Sequence, residues 1–317
     1  MRNPENTVGE LLSPLLIKPS SRLAIFWMGI RPKTLSISLA PVFLGSALGF
    51  WNQRAFVGWV LGLSLVAALF IQAATNLLND AGDGESGTDT PDRLGPPRVV
   101  ALGWASPAQV KAWAYALMLA AFVLGVALVW RGGWPIVGLG LASLVAGWAY
   151  THGPYPISRS PLGELFVCLF FGLGAVAGSY YLQTLTLSPS ALLLGALQGA
   201  LAAAVIVVNN TRDREEDQKA GRKTLAVLGG RLFCCREYGV LLLLPCLSAA
   251  LWAFCVGVAW AAWGVLACSL WGVVLVRRFF LARGGAEFNS LLAATAQFQL
   301  LFGVLISLGI MADVIFK

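Results

Sequence analysis

Two short polar stretches in a strongly apolar chain hold the side chains that could do chemistry. The first is Asn76-Leu77-Leu78-Asn79-Asp80-Ala81-Gly82-Asp83-Gly84-Glu85, continuing through Asp89 and Asp92-Arg93. The second is Asn209-Asn210-Thr211-Arg212-Asp213-Arg214-Glu215-Glu216-Asp217, continuing through Gly221-Arg222-Lys223-Thr224. Asn76, Asp80 and Asp83 fall at i, i+4 and i+7, and Asn209, Asp213 and Asp217 at i, i+4 and i+8. Such spacings gather polar groups on one face of a helix. Asn76 to Asn209 and Asp80 to Asp213 share an offset of 133 residues, so the stretches read as two copies of one element. Together they hold nine of the fifteen acidic residues, a concentration that an apolar chain does not reach without a cation to neutralise it.

Carboxylates and amides without histidine or cysteine select a hard divalent ion, Mg²⁺ or Ca²⁺. Mg²⁺ takes one or two protein carboxylates and completes its shell with water and phosphate oxygens. Two facing acidic elements could therefore hold two ions with a diphosphate between them. Arg93, Arg98, Arg212, Arg222 and Lys223 lie close by in sequence and suit the remaining phosphate oxygens. A diphosphate held this way is a good leaving group, because its developing charge is stabilised. Glu215 and Glu216 read individually as solvated charges.

The rest of the chain must position these groups inside a membrane. It is 58% hydrophobic and only 12% charged, against roughly a quarter charged in soluble domains. Residues 1–22 are polar, lack a cleavable signal's apolar core, and read as a loose cytoplasmic tail. Residues 23–317 read as a single transmembrane domain of two parallel pseudo-repeats. A membrane helix needs roughly 20 apolar residues, and nine candidates follow, at about 34–52, 56–80, 107–130, 133–150, 161–184, 190–211, 236–256, 258–277 and 290–314. The second and sixth end at the acidic stretches.

A cytoplasmic N-terminus puts nineteen of the 22 Lys and Arg residues on the cytoplasmic side and leaves Arg54, Arg131 and Lys317 outside. Both acidic stretches then face the cytoplasm and the C-terminus lies outside. The net charge of +7 is thus explained by topology, and no nucleic-acid partner is implied. The six cysteines lie without metal spacing and read as packing residues.

The first stretch resembles the NDxxDxxxD motif of the UbiA superfamily of intramembrane aromatic prenyltransferases, and the second its DxxxD motif. Asn79-Asp80-Ala81-Gly82-Asp83 matches, but the third acidic position is Gly87, with Asp89 two residues later. The pattern from Asn79 to Arg98 is similar to the 1,4-dihydroxy-2-naphthoate branch. So are Arg31-Pro32-Lys33-Thr34, Tyr150-Thr151 leading to Leu162-Gly163-Glu164, Gly178 to Gln183, and Asn209 to Asp213 with Gly221 to Leu225. The resemblance covers roughly residues 25–315.

It implies a nine-helix all-α integral membrane bundle around a central cavity in the bacterial inner membrane. A polyprenyl diphosphate would bind through Mg²⁺ and ionise to an allylic cation. Dihydroxynaphthoate would then attack and lose its carboxylate, on the way to menaquinone or phylloquinone. Asp80, Asp83, Asp213 and Asp217 are the expected metal ligands, with Asn76 and Asn209 in support. Arg93, Arg98, Arg212 and Lys223 are expected at the diphosphate. Arg31 and Arg159 are candidates for the acceptor carboxylate, with a plain topogenic charge equally open for Arg159. Tyr150 and Tyr155 could stack on the cation or ring, although interfacial tyrosines are common in membranes. His152 reads as a loop residue, not a base. The competing acceptors are 4-hydroxybenzoate and homogentisate. The competing class is a cation-coupled transporter, disfavoured because the repeat is parallel and mid-membrane Gly/Pro breaks are missing.

Overall fold

The computed structural model describes residues 18–87 and 95–316; Arg93, Asp89 and Asp92 lie outside the described residues. All described regular structure is helical. The helices are α1 (Arg22–Gly29), α2 (Ser36–Gln53), α3 (Gly58–Glu85), α4 (Pro107–Gly132), α5 (Trp134–Ala149), α6 (Gly163–Thr184), α7 (Pro189–Arg212), α8 (Arg214–Lys219), α9 (Leu225–Cys255), α10 (Ala259–Leu281) and α11 (Gly285–Phe316). Ser106 and Ser188, each followed by proline, cap α4 and α7 by accepting from the backbone N–H groups of Gln109 and Ala191.

Among the described residues, seven helices are long and apolar enough to cross a bilayer: α3, α4, α6, α7, α9, α10 and α11. An eighth span is available if residues 22–34 and α2, bent by 54°, count as one. The nine expected runs all coincide with helices, but α5 has only 16 residues and falls short of the length criterion. Many large apolar side chains face outward, among them Trp130, Trp134, Leu270 and Leu301. An outer surface of this kind suits lipid and not water. The chain is an integral membrane protein.

With lipid outside and apolar residues inside, close packing replaces the hydrophobic effect as the force joining helices. α6 and α7 approach until a side chain at Gly172 would strike the backbone of Gly195 and Gly199, and one at Gly199 the Cys168 carbonyl. The middle of α6, Leu169–Gly174, widens into a π-helical turn at this contact. In α2, Pro41 removes the N–H that would bond to the Ile37 carbonyl. The Gln299 side chain of α11 supplies the missing donor, with Nε2 at 3.2 Å from that oxygen. α5 packs against α3 and α4, and its Leu139 side chain sits against Gly174 and Gly178 of α6.

Candidate active site

The two acidic stretches meet at one end of the bundle. α3 runs five residues further than expected from hydropathy and carries Asp83 on its last turn. α7 ends at Arg212, and Asp213 is the junction with the one-turn α8, whose face carries Asp217. Asn79, Asp83, Asn209, Asn210, Asp213 and Asp217 all line one polar recess of about 50 Å³, together with Arg98, Tyr150 and Arg222. Asp83, Asp213 and Asp217 are buried. Asn79, Tyr150 and Asn209 also line a second, much larger space, an apolar cavity of about 770 Å³ walled by α2 to α7. The recess is therefore the polar mouth of an apolar chamber.

This geometry pairs the two acidic stretches at a different offset. The recess is lined by Asn79 and Asp83 from α3 and by Asn209 and Asp213 from α7, an offset of 130 residues and not 133. At that offset Gly87 corresponds to Asp217. Asn79 was the residue missed; its Asn-xxx-Asp spacing to Asp83 was present in the sequence, in competition with the same spacing from Asn76 to Asp80.

Asn76 and Asp80 sit elsewhere. Asn76 lines the large cavity and donates from Nδ2 to the Ile30 carbonyl at 2.9 Å. Asp80, 1% exposed, is not among the recess residues, and its carboxylate accepts from the backbone N–H groups of Val99 at 2.9 Å and Val100 at 3.1 Å.

Basic groups knit the recess together. Arg222 donates to Asp83 at 2.6 Å and lies 3.3 Å from Asp217. Arg98 reaches Asn79 Oδ1 at 3.2 Å and Asp83 at 3.5 Å. Arg159 donates to Ser86 Oγ at 2.9 Å and comes within 4.0 Å of Asp83. Arg212 holds Asp213 at 2.6 and 2.7 Å, Asn209 Oδ1 at 2.8 Å and Asn289 Oδ1 at 2.8 Å, so it shapes the second acidic end from behind. Lys223 is exposed; its backbone N–H donates to the Arg159 carbonyl at 2.9 Å, tying the two basic loops together.

The loop after α5 closes the recess from one side. Tyr150 is pushed above the usual tyrosine range by burial, reinforced by the Glu164 and Asp83 carboxylates, and stays a neutral phenol. Glu164 is itself buried and accepts from Asn210 Nδ2 at 2.8 Å, which fixes an amide that lines the recess. Tyr155 is 89% exposed and contributes to neither space. His152 stacks on Trp148, and burial followed by the Lys111 charge lowers its pKa.

On the opposite side, Arg31 lines the large cavity from a left-handed bend (φ 54°) between α1 and α2. Gln72 Nε2 donates to the Thr34 carbonyl at 2.6 Å. Because that carbonyl can only accept, the amide oxygen of Gln72 is left on the other side, buried and without a hydrogen bond in the wall of the cavity.

Within the helical membrane bundle, a buried acidic recess laced with guanidinium groups opens into an apolar chamber. A model of the UbiA prenyltransferase family matches residues 38–305, and the chain belongs to that family. It is 36% identical over 305 residues to a 1,4-dihydroxy-2-naphthoate octaprenyltransferase of Haemophilus influenzae, covering 92% of this chain and 97% of the relative. The fold is similar to that of a UbiA homolog from Aeropyrum pernix K1, with a TM-score of 0.68 at 16% identity, covering 90% of this chain and 99% of the other. It is also similar to a UbiA homolog from Archaeoglobus fulgidus described as bound to DMAPP and Mg²⁺. There the TM-score is 0.64 at 16% identity, covering 89% and 99%.

Proposed function

We propose that this protein transfers a polyprenyl group from its diphosphate to 1,4-dihydroxy-2-naphthoate, with loss of the acceptor's carboxylate, in the synthesis of a menaquinone or phylloquinone. The observation that carries this reading is the junction at Asn79, Tyr150 and Asn209, where the polar recess opens into the 770 Å³ apolar cavity. A prenyl diphosphate has that same division, a charged head on an apolar tail. The acceptor assignment is supported by the relatives' names.

The donor set fits Mg²⁺. Asn79, Asp83, Asn209, Asp213 and Asp217 offer oxygen atoms alone. Among the described residues no three acidic, histidine or cysteine side chains form a ready-made cage. Mg²⁺ takes only one or two protein carboxylates and leaves the rest of its shell to water and phosphate. Asn79 with Asp83 on one helix end, and Asn209 with Asp213 and Asp217 on the other, are the residues that would share two such ions. When bound, Mg²⁺ would neutralise the charge that builds on the departing diphosphate.

The chain's own residues supply the rest. Arg98, Arg159 and Arg222 surround Asp83 and present guanidinium groups to phosphate oxygens. Arg212 fixes Asp213 and Asn209. Arg31, Gln72 and Asn76 line the cavity beside the recess and suit a hydroxylated aromatic acid, with Arg31 for its carboxylate and the Gln72 oxygen for a phenolic proton. Tyr150, neutral at the junction, presents its ring to the allylic cation. Apolar walls keep water from that cation. The nine helices all cross a bacterial inner membrane, α5 and the bent α1–α2 pair included. The N-terminus and the recess face the cytoplasm, where the basic loops lie.

The test is prenyl transfer by the protein in solubilised membranes, with Mg²⁺, a long prenyl diphosphate and either dihydroxynaphthoate or 4-hydroxybenzoate. The expected product is a decarboxylated prenyl naphthoquinol from the first acceptor only. Product from 4-hydroxybenzoate alone overturns the acceptor. Cation movement into vesicles without consumption of prenyl diphosphate overturns the enzyme.

A further inference from the structure

The Asp80 carboxylate is buried, lies one helix turn from Asp83, and is not among the groups that line the recess. Its oxygens each take a backbone N–H from consecutive residues, Val99 and Val100. Those amides open a tight turn in which the Arg98 carbonyl accepts from Leu102 N–H at 3.0 Å and the Val99 carbonyl from Trp104 and Ala105. Two adjacent N–H groups at the head of such a turn form a cradle for an anion, and Asp80 fills it from within the protein. The valine side chains finish the docking. Val99 is fully buried in a cluster with Leu77, Leu78 and Ala81, and Val100 presses on Gly84 so closely that a side chain there would strike it.

The residue immediately before the cradle is Arg98, whose guanidinium spans Asn79 and Asp83. We infer that Asp80 is a positioning residue: it clamps the Val99–Val100 backbone onto α3, sets Arg98 over the recess, and does not ligate metal. The inference rests on the diphosphate reading of the recess. Its logic is that a carboxylate already receiving two charge-assisted backbone bonds in a dry site gains little by turning to an ion. Asp83, one turn on, is held by the side-chain guanidinium groups of Arg98, Arg159 and Arg222, which can turn to phosphate oxygens and leave its carboxylate to metal. The two aspartates of the first stretch thus divide the work, one on the backbone and one on the ligand.

Two experiments decide this. In the first, hydrogen exchange of the peptide covering residues 98–104 is followed in the unmodified protein, with and without Mg²⁺ and inorganic pyrophosphate. The Val99 and Val100 amides stay protected, equally or more strongly, when both are added. Faster exchange on addition means that Asp80 has left the amides for the ion, and overturns the inference whether or not the protein transfers prenyl groups.

In the second, Asp80→Asn is compared with Asp83→Asn, Arg98→Gln and the Asp80→Asn/Arg98→Gln double variant. Asp80→Asn raises KM for prenyl diphosphate about tenfold, leaves the Mg²⁺ concentration for half-maximal rate within about twofold, and adds little to Arg98→Gln. Asp83→Asn shifts the Mg²⁺ requirement. A shift of the same kind in Asp80→Asn, or full additivity with Arg98→Gln, overturns the positioning role. If Asp80→Asn does not fold, the exchange experiment alone stands as the test.

Discussion

Arg222 donates to Asp83 at 2.6 Å across 139 residues of sequence, and so joins the ends of two helices that carry the same acidic motif. Its other terminal nitrogen lies 3.3 Å from Asp217. One guanidinium thus bridges both acidic stretches, which lets buried carboxylates sit close together without mutual repulsion. Arg222→Gln removes that bridge. Its Tm is expected to fall without Mg²⁺ and to rise more on adding Mg²⁺ than that of the unaltered protein, because the ion then takes over neutralisation. An equal Mg²⁺ response in both proteins counts against the bridge.

Asp83→Ala and Asp213→Ala are each expected to lower diphosphate release by about 10³-fold or more, while the protein inserts at normal levels. Substantial turnover in either variant sinks a mechanism that uses both helix ends.

Removal of divalent ions should stop turnover, and Mg²⁺ alone should restore it. Turnover that persists in excess EDTA would refute the oxygen-only donor set as a metal site.

Gln299→Leu tests the fold away from the chemistry. The Ile37 carbonyl, left without a helical donor by Pro41, then loses the Gln299 amide that donates to it. A cost of about 1 kcal/mol is expected, since polar bonds between membrane helices are modest in net value. It should appear as a lower Tm in detergent with KM for prenyl diphosphate unchanged.

His152 carries the pH prediction. Its folded pKa lies below the ordinary 6.5, so the unfolded chain binds a proton more readily than the folded one. Its contribution to stability is therefore present above about pH 6.5 and lost as pH falls through the folded value. Tm measured from pH 7.5 down to 5.5 should drop less in His152→Asn than in the unaltered protein. Parallel curves assign the drop to other groups.

Much of this architecture was legible in the sequence because hydrophobic length is a strong signal. All nine apolar runs coincide with helices, and both acidic stretches lie at helix ends as expected. The register of the repeat was not legible. Asn76 to Asp80 and Asn79 to Asp83 have the same spacing and differ by three residues, which on a helix leaves them on overlapping faces. Only what packs beside α3 separates them: Val99 and Val100 claim Asp80, while α7 and α8 stand opposite Asp83.

The roles of the arginines were also hidden. Arg212 adjoins Asp213 in sequence and was expected at the diphosphate, but its four bonds tie it to its own helix end and to Asn289 of α11. Arg222, from a turn where Gly221 takes a left-handed φ of +70°, bridges to the far stretch instead. A positive charge near a motif says nothing about where its side chain reaches. Span count was limited in another way, since composition cannot tell a 16-residue helix that crosses from one that stops short.

That short helix has a consequence for the lipid. Sixteen residues at 1.5 Å each extend about 24 Å, less than the roughly 30 Å hydrocarbon core of an ordinary bilayer. If α5 crosses the bilayer as proposed, the bilayer along this flank dimples inward or lets headgroups and water follow the helix ends. α5 also helps wall the apolar cavity, through Ile136, Leu139, Leu144 and Gly147, so any such dimple falls beside the chamber. Membrane thickness then becomes a variable of the chamber's shape, set by the cell's lipids and not by the polypeptide.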